Sequence, residues 1–563
     1  MNAKILNLFL YLLFCASSNA QKMAPAVSKN IYCDNGAVVS AHPLASKAGL
    51  MVLLQGGNAV DAAIATQLAL AVVYPGAGNL GGGGFMIASL NNGKTIALDY
   101  RETAPEKAHK NMYLDSAGNP IKKLSLSGTL ANGIPGTIAG LFASLKYAKL
   151  PFKKLIAPAI ELARNGFAIS ASQAQSLNEN KKEFELVNTR PVAFVKSEIW
   201  KEGDILKQPE LAKTLIHIRK KGAKGFYEGR IARLIVREMA RTRGIISLRD
   251  LKDYKAKERT AIRYGYKSYE IIGMPLPSSG GLIVQQLMKI IETRNIAAMG
   301  FQSAASVNLM VEAERRAFAD RGTYLGDADF VKVPVKTLVS DSYLQQRMSD
   351  FIPGRAGNSL STKEGNIAES EETTHISIVD KDDNAVSVTT TLNGSYGSHT
   401  VIGGAGFLMN NEMDDFSVKE GAPNMYGAVG RAANAIAPGK RMLSSMSPTI
   451  VLKDNKPFIV VGTPGGTTIP TSVFQSLVNV LEFNLNEDDA VNKPKFHHQW
   501  LPDMVFLESG FPVNTAKSME AMGYKTTERS AIGRTELIKI NHSNGRKITA
   551  VADKRGDDAA AGY

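Results

Sequence analysis

Cysteine is almost missing from this chain: Cys15 and Cys33 are the only two in 563 residues. Cys15 falls inside MNAKILNLFLYLLFCASSNAQK, where Lys4, an apolar run from Ile5 to Ala16 and small residues before Gln21 form a secretory signal with cleavage expected after Ala20. Phe14 before Cys15 does not suit a lipoprotein cleavage site. Once the signal leaves, Cys33 stands alone, so the fold does without an internal disulfide even though the signal sends it to an oxidising compartment. Long hydrophobic runs are scarce too. The signal's run is too short for an anchor, and no other segment approaches twenty apolar residues, which argues against an integral membrane segment and for a periplasmic or secreted protein.

Other absences narrow the function. The glycine cluster Gly76 to Phe85 (GAGNLGGGGF) follows a helical pattern, NAVDAAIATQLALAVVYPG, capped by Asn58 with Asp61 in its first turn. No Gly-Lys-Ser/Thr comes after it, so it is not a phosphate loop. No His/Cys/Asp cluster has ligand spacing, and His497-His498 in FHHQW reads as structural, so neither metal nor cofactor is expected. The formal charge of +14 is scattered. Its densest region, His217 to Lys267, includes IARLIVREMARTRG, which reads as a helix with a solvated basic face rather than a nucleic-acid surface. There are no internal repeats, and 44% hydrophobic with 21% charged residues is ordinary for a globular chain of one or two domains.

What the chain does have is centred on Thr373, in ESEETTHISIVDKDDNAVSVTTTLN. Apolar alternation through Ile376 and Ile378, a turn at Asp382-Asp383-Asn384, and resumed alternation at Val386 and Val388 predict a β-hairpin. Folding it about residue 382 sets Thr373 opposite Thr391, about 5 Å apart on one face. A second hairpin is expected from PTIVLK and KPFIVV around Asp454-Asn455. Counting outward from that turn brings Ser444-Ser445 near Gly465-Gly466, although Pro448 and Pro464 limit ladder pairing that far out. Exposed backbone N–H groups on the glycine pair suit an oxyanion. GFMIASL and KTIALDY read as strands ending at Arg101, and the region from Glu106 to Gly265 reads as helix-rich. Residues 351–372 read as a loop or linker ending at Glu372, open to cutting without unravelling a core.

A threonine hydroxyl needs a base, and no Ser-His-Asp arrangement surrounds Thr373. His375 shares its strand face about 7 Å away, which favours a structural role over a proton relay. The other route is for Thr373 to become an N-terminus, whose α-amine titrates near 8 and is in useful part neutral at physiological pH. The uncut chain is then an inactive precursor, processed when the Thr373 hydroxyl attacks the Glu372 carbonyl and the ester hydrolyses.

The motifs HPLAS near His42, GNAVDAA, DYRETAP, IPGT, FYEGRIA, PSSGG, EAERRAFADR, LGDADF, TTH, NNEMDDF, SSMSPTI, PGG, FHHQWLPD and the terminal AGY closely resemble, in this order, the γ-glutamyltransferase (glutathione hydrolase) family of N-terminal-nucleophile enzymes. The resemblance covers almost the whole mature chain. It implies an α/β, four-layer αββα sandwich, with residues 1–20 as signal, 21–372 as a large subunit and 373–563 as a small catalytic subunit, paired as a heterodimer.

The resemblance further implies Thr373 as nucleophile, Thr391 as its support and the Gly465 and Gly466 backbone as oxyanion hole. Arg101, Ser444 and Ser445 would hold the donor's α-carboxylate, and Asn393, Glu412 and Asp415 its α-ammonium, with Tyr426 in a covering loop. A zwitterionic head calls for such a division, and an arginine fork matches a carboxylate. Donors would be glutathione, glutamine and other γ-glutamyl compounds, and acceptors water, amino acids or dipeptides. Glu412 stands where some relatives carry Gln, and Thr463 where Ser often precedes PGG. The rival readings are a related acylase acting on a glutaryl or β-lactam side chain, and an inactive secreted scaffold.

Overall fold

The computed structural model describes residues 26–359 and 373–563. The signal, the later part of the 351–372 linker and Glu372 lie outside the described residues.

The hairpin holding Thr373 forms as its alternation predicts. Strands Thr374–Val379 and Ala385–Thr391 pair antiparallel from Thr374 opposite Thr390 to Val379 opposite Ala385. That register carries Thr373 to Thr391. Between the strands, Asp380 Oδ1 accepts from Asp382 N at 2.9 Å and Asn384 N at 3.0 Å, and Asp383 takes the left-handed conformation such a turn needs.

This hairpin sits in the middle of an eight-stranded sheet. In spatial order the strands are Ala26–Ser28, Ala559–Gly562, Ala37–Ser40, Thr374–Val379, Ala385–Thr391, Gly83–Ser89, Thr95–Asp99 and Lys257–Arg259. A second, seven-stranded sheet runs Asn30–Cys33, Lys547–Ala552, Glu536–Asn541, Lys456–Gly462, Thr449–Lys453, Tyr269–Gly273 and Ile262–Tyr266. Both sheets interleave strands from before residue 360 with strands from after residue 372.

Strand alternation sorts the side chains into three cores. Val38, Met86, Ile376 and Val388 face outward against helix Ala59–Val73, through Ile64 and Leu68. Val39, Phe85 and Ile87 face inward, meeting Ile450, Val460 and Ile538 of the second sheet. The far side of that sheet, with Val451, Val461 and Leu537, packs on helices Gly280–Glu292 and Thr468–Leu481. The result is the four-layer αββα sandwich. Helix Ala59–Val73 is buried along its whole length, and its capping box works as expected, with Asn58 Oδ1 accepting from Asp61 N and Asp61 Oδ2 from Asn58 N. Among the described residues no helix is long and apolar enough to cross a membrane.

The second hairpin departs from simple counting. Its turn residues Asp454 and Asn455 are both left-handed, as a two-residue hairpin turn requires. A bulge between Val451 and Leu452 then shifts the register by one, and pairing stops at Thr449. Ser444 is held by another segment altogether: its N–H donates to Pro277 O at 2.9 Å and its carbonyl accepts from Ser279 N at 2.7 Å.

Candidate active site

Because Ile376 and Val388 face outward, Thr373, His375, Ser377, Ser387, Thr389 and Thr391 face the other sheet. The seam between the sheets is therefore polar at this hairpin. Thr373, 3% exposed, stands at its outer end and donates from Oγ1 to Thr391 Oγ1 at 3.4 Å. Thr391 Oγ1 in turn accepts from Asn393 N at 2.8 Å. The backbone of Thr391 can lie close to the glycine cluster because Gly82 has no side chain: a Cβ there would come 2.1 Å from Thr391 O.

Around Thr373 one narrow cavity gathers most of the residues singled out in the sequence. Arg101, Asn393, Asp415, Ser444, Ser445 and Tyr426 line it, together with Thr391 and Gly466. Gly465 and Glu412 stand one step behind that wall. The serine pair and the glycine pair thus meet at one cavity, though by way of the Pro277–Ser279 segment rather than along the second hairpin. Gly465 and Gly466 have φ of +135° and +52°, values that side-chain-bearing residues avoid, in the turn that starts helix Thr468–Leu481.

Charge in the cavity is paired within the protein. Arg101 Nη1 lies 2.5 Å from Glu412 Oε2 and 3.8 Å from Glu102, and Nη2 pairs with Asp415. The cation and the anions expected to divide a zwitterion between them are bound to each other. Burial dominates their ionisation: it lifts the Glu102 carboxyl to about 8 and raises Glu412 and Asp415 above the usual carboxylate range, against the pull of Arg101. Arg321, also on the cavity wall, is lowered to about 10 by burial. It donates to Ser445 Oγ and to Ser279 Oγ, each at 3.1 Å.

The Pro423 to Gly427 segment covers the cavity. Tyr426 OH donates to Asn393 O at 2.5 Å, Asn424 Nδ2 to Asp415 Oδ1 at 2.9 Å, and Met425 N to Asp414 Oδ2 at 2.7 Å. His375 takes no part at Thr373. Its Nδ1 meets Thr389 Oγ1 at 2.8 Å and its Nε2 meets Ser377 Oγ at 3.2 Å, while burial lowers it to about 3.

Arg321, Ser279, Asn424 and Thr467 also belong to this site or its wall, and the sequence reading did not single them out. Arg321 and Ser279 sit inside EAERRAFADR and PSSGG, which were noted only as motifs. Helix Ala304–Tyr324 is buried on nearly every face, so no apolar spacing marks Arg321 out.

Comparison with known proteins identifies relatives over nearly the whole chain. The family model for Gamma-glutamyltranspeptidase matches residues 45–563. The chain is 45% identical over 562 residues to the glutathione hydrolase proenzyme of Escherichia coli (strain K12), covering 98% of this chain and 97% of that one. Among solved structures, Helicobacter pylori gamma-glutamyltranspeptidase is 46% identical with a TM-score of 0.57, covering 58% of this chain and 94% of that chain. A cephalosporin acylase from Bacillus halodurans superimposes with a TM-score of 0.84 at 25% identity, covering 98% of this chain and 99% of that chain.

Proposed function

The chain belongs to the gamma-glutamyltranspeptidase family, and from that premise we propose that it is a self-processing glutathione hydrolase and γ-glutamyltransferase. It is an enzyme made as a proenzyme, which cleaves the γ-glutamyl amide of glutathione and related compounds through a γ-glutamyl ester. The acylase reading is weaker. The chain covers a glutathione hydrolase almost end to end at 45% identity, and Asp415 gives the cavity a carboxylate for an α-ammonium that a glutaryl donor lacks.

In our reading the chain is cut between Glu372 and Thr373, giving pieces 21–372 and 373–563 after loss of a signal at 1–20. The new α-amine takes the proton of the Thr373 hydroxyl, and the oxygen attacks the γ-carbonyl. The carbonyl electrons move to an oxyanion facing the Gly465 and Gly466 backbone, supported by the left-handed turn there. Collapse breaks the amide bond, and the α-ammonium returns the proton to the leaving amine. Water or an acceptor amine then attacks the ester in the same way, restoring Thr373.

Donor binding is an exchange of ion pairs. The donor's α-carboxylate takes the Arg101 fork with hydrogen bonds from Ser444 and Ser445, and its α-ammonium takes Asp415, Asn393 and the charge of Glu412 behind them, so the net charge of the buried cluster is unchanged. Glutathione and glutamine fit as donors and amino acids or dipeptides as acceptors, in the periplasm or outside the cell. The observation that carries this reading is Thr373 at the end of its strand, 3.4 Å from Thr391, on a cavity shared with Arg101, Asp415 and Gly466.

The test is a denaturing gel and a γ-glutamyl-p-nitroanilide assay beside Thr373→Ala. The expected result is two pieces with activity for the natural chain, and one uncut, inactive chain for the variant. A fully active single chain would end the hypothesis.

A further inference from the structure

Gln499, in FHHQW, has an environment the mechanism above leaves unused. Its side chain is 4% exposed, and each polar atom of its amide meets two polar partners. Nε2 donates to the carbonyls of Tyr426 and Leu501, each at 3.2 Å. Oε1 accepts from the Thr467 hydroxyl and lies 3.0 Å from His497 Nε2. Turning the amide over would set its oxygen against the carbonyls of Tyr426 and Leu501, so one orientation is fixed. His497 is itself locked, with Nδ1 2.8 Å from Thr471 Oγ1 and its ring edge-on to Phe318.

The partners of this amide lie on opposite walls of the cavity. Tyr426 is in the covering segment, whereas Thr467 directly follows Gly466 and leads into helix Thr468–Leu481. On the inner side the two walls already touch, since a Cβ on Gly466 would lie 2.5 Å from Tyr426 Cδ1. Gln499 joins them again from behind. Ring-on-glycine contact and amide bridge together make the cover and the glycine turn one unit.

We propose that Gln499 is a positioning residue that latches the Tyr426 segment to the glycine turn, so that closing over the γ-glutamyl group and setting the oxyanion-binding backbone are one event. The proposal rests on the γ-glutamyl reading of the site. Entry of a donor, exit of its amine and entry of an acceptor all require the latch to release, and each closure re-forms the Gln499 Nε2 hydrogen bond to Tyr426 O. Such a buried network acts as a unit, which makes it separable from simple packing by a double-mutant cycle.

The experiment measures γ-glutamyl-p-nitroanilide kinetics for the full natural chain, Gln499→Met, Tyr426→Ala and the double variant. Gln499→Met is expected to raise KM and lower kcat together, cutting kcat/KM about tenfold, the scale of one or two lost hydrogen bonds. Tyr426→Ala keeps the carbonyl that Gln499 holds but removes the ring that packs on Gly466 and bonds Asn393; because closure needs both holds, adding Gln499→Met to Tyr426→Ala should change kcat/KM less than about twofold. Thr467→Val, which removes the turn's end of the bridge without changing side-chain shape, should behave as Gln499→Met does and takes its place if that variant does not fold. The same factor in both backgrounds, or an unchanged kcat/KM in the single variants, overturns the latch. A natural chain that folds but does not turn over this substrate overturns the γ-glutamyl reading and the latch with it, whereas an active chain with additive variants overturns the latch alone.

Discussion

Arg101 and Glu412 meet at 2.5 Å with neither side chain more than 1% exposed. A donor carboxylate must compete with Glu412 for Arg101. Glu412→Gln removes that competitor while leaving Asp415 to the ammonium, so KM for γ-glutamyl-p-nitroanilide should fall by roughly two- to fivefold, an effect of about 1 kcal/mol or less. Steady-state kinetics at pH 7.5 check this. A rise in KM would instead mean that the Glu412 charge acts mainly on the ammonium.

Asp415→Asn should separate the two donor classes. Removing one partner of a desolvated charge pair costs about 2 to 5 kcal/mol, so kcat/KM for γ-glutamyl anilide should drop by about two orders of magnitude. A glutaryl anilide has no ammonium to lose, and its kcat/KM should change less than about fivefold. Intact γ-glutamyl cleavage, with glutaryl amides the better substrates of the natural chain, would move the protein to the acylases.

The pH–rate profile should report the α-amine of Thr373. Burial lowers His375 and His497 to about 3, and His42, His399 and His498 to about 4, so none of these five titrates near neutrality. An activity that rises through about pH 7 to 8 is the signature expected of the terminal amine, and the same profile on Glu102→Gln separates it from the Glu102 carboxyl, which burial lifts to about 8 behind Arg101. Measuring kcat/KM from pH 5 to 9 tests this, and a profile flat across that range would leave the amine without its role.

Glu536 and Asp558 set a different pH dependence. Glu536 opens strand Glu536–Asn541 in one sheet and Asp558 precedes Ala559–Gly562 in the other, and the two buried acids face each other, carboxyl to carboxyl. Arg534 Nη1 is 3.9 Å from Asp558, and burial raises both acids above the usual carboxylate range. The folded protein thus holds protons that the unfolded chain releases, and the stability this brings is present at acid pH and lost as pH climbs through the raised values. Glu536→Gln should unfold at a higher temperature than the natural chain at pH 8 to 9, by the equivalent of about 1 to 2 kcal/mol, with the gap closing toward pH 4. A gap of equal size at both ends would exclude titration as its cause.

Legibility varied with how local the determining physics is. Reflection about residue 382 worked for Thr373 and Thr391 because an unbroken ladder with a short turn transmits register faithfully. The same arithmetic about Asp454-Asn455 met a bulge that neither strand's apolar pattern announces, and it said nothing of the Pro277–Ser279 segment that holds Ser444. Arg321 and Gln499 were harder still. One lies in a helix whose faces are nearly all buried and the other in a turn, so their neighbours come from distant segments and leave no spacing to read. Arg101 was legible as a strand-end arginine, but its burial against Glu412 was not.

The strand order of the two sheets bears on the protein's history. If the chain is cut after residue 372, Ala559–Gly562 from one piece lies between Ala26–Ser28 and Ala37–Ser40 from the other, and Asn30–Cys33 borders Lys547–Ala552. Neither piece owns a whole sheet, so the shape must be assembled while the backbone is still continuous. Scission would then be a one-way clock. Before it the molecule can unfold and find its way back as one chain, and afterwards recovery becomes a bimolecular search between two fragments that each lack their neighbours.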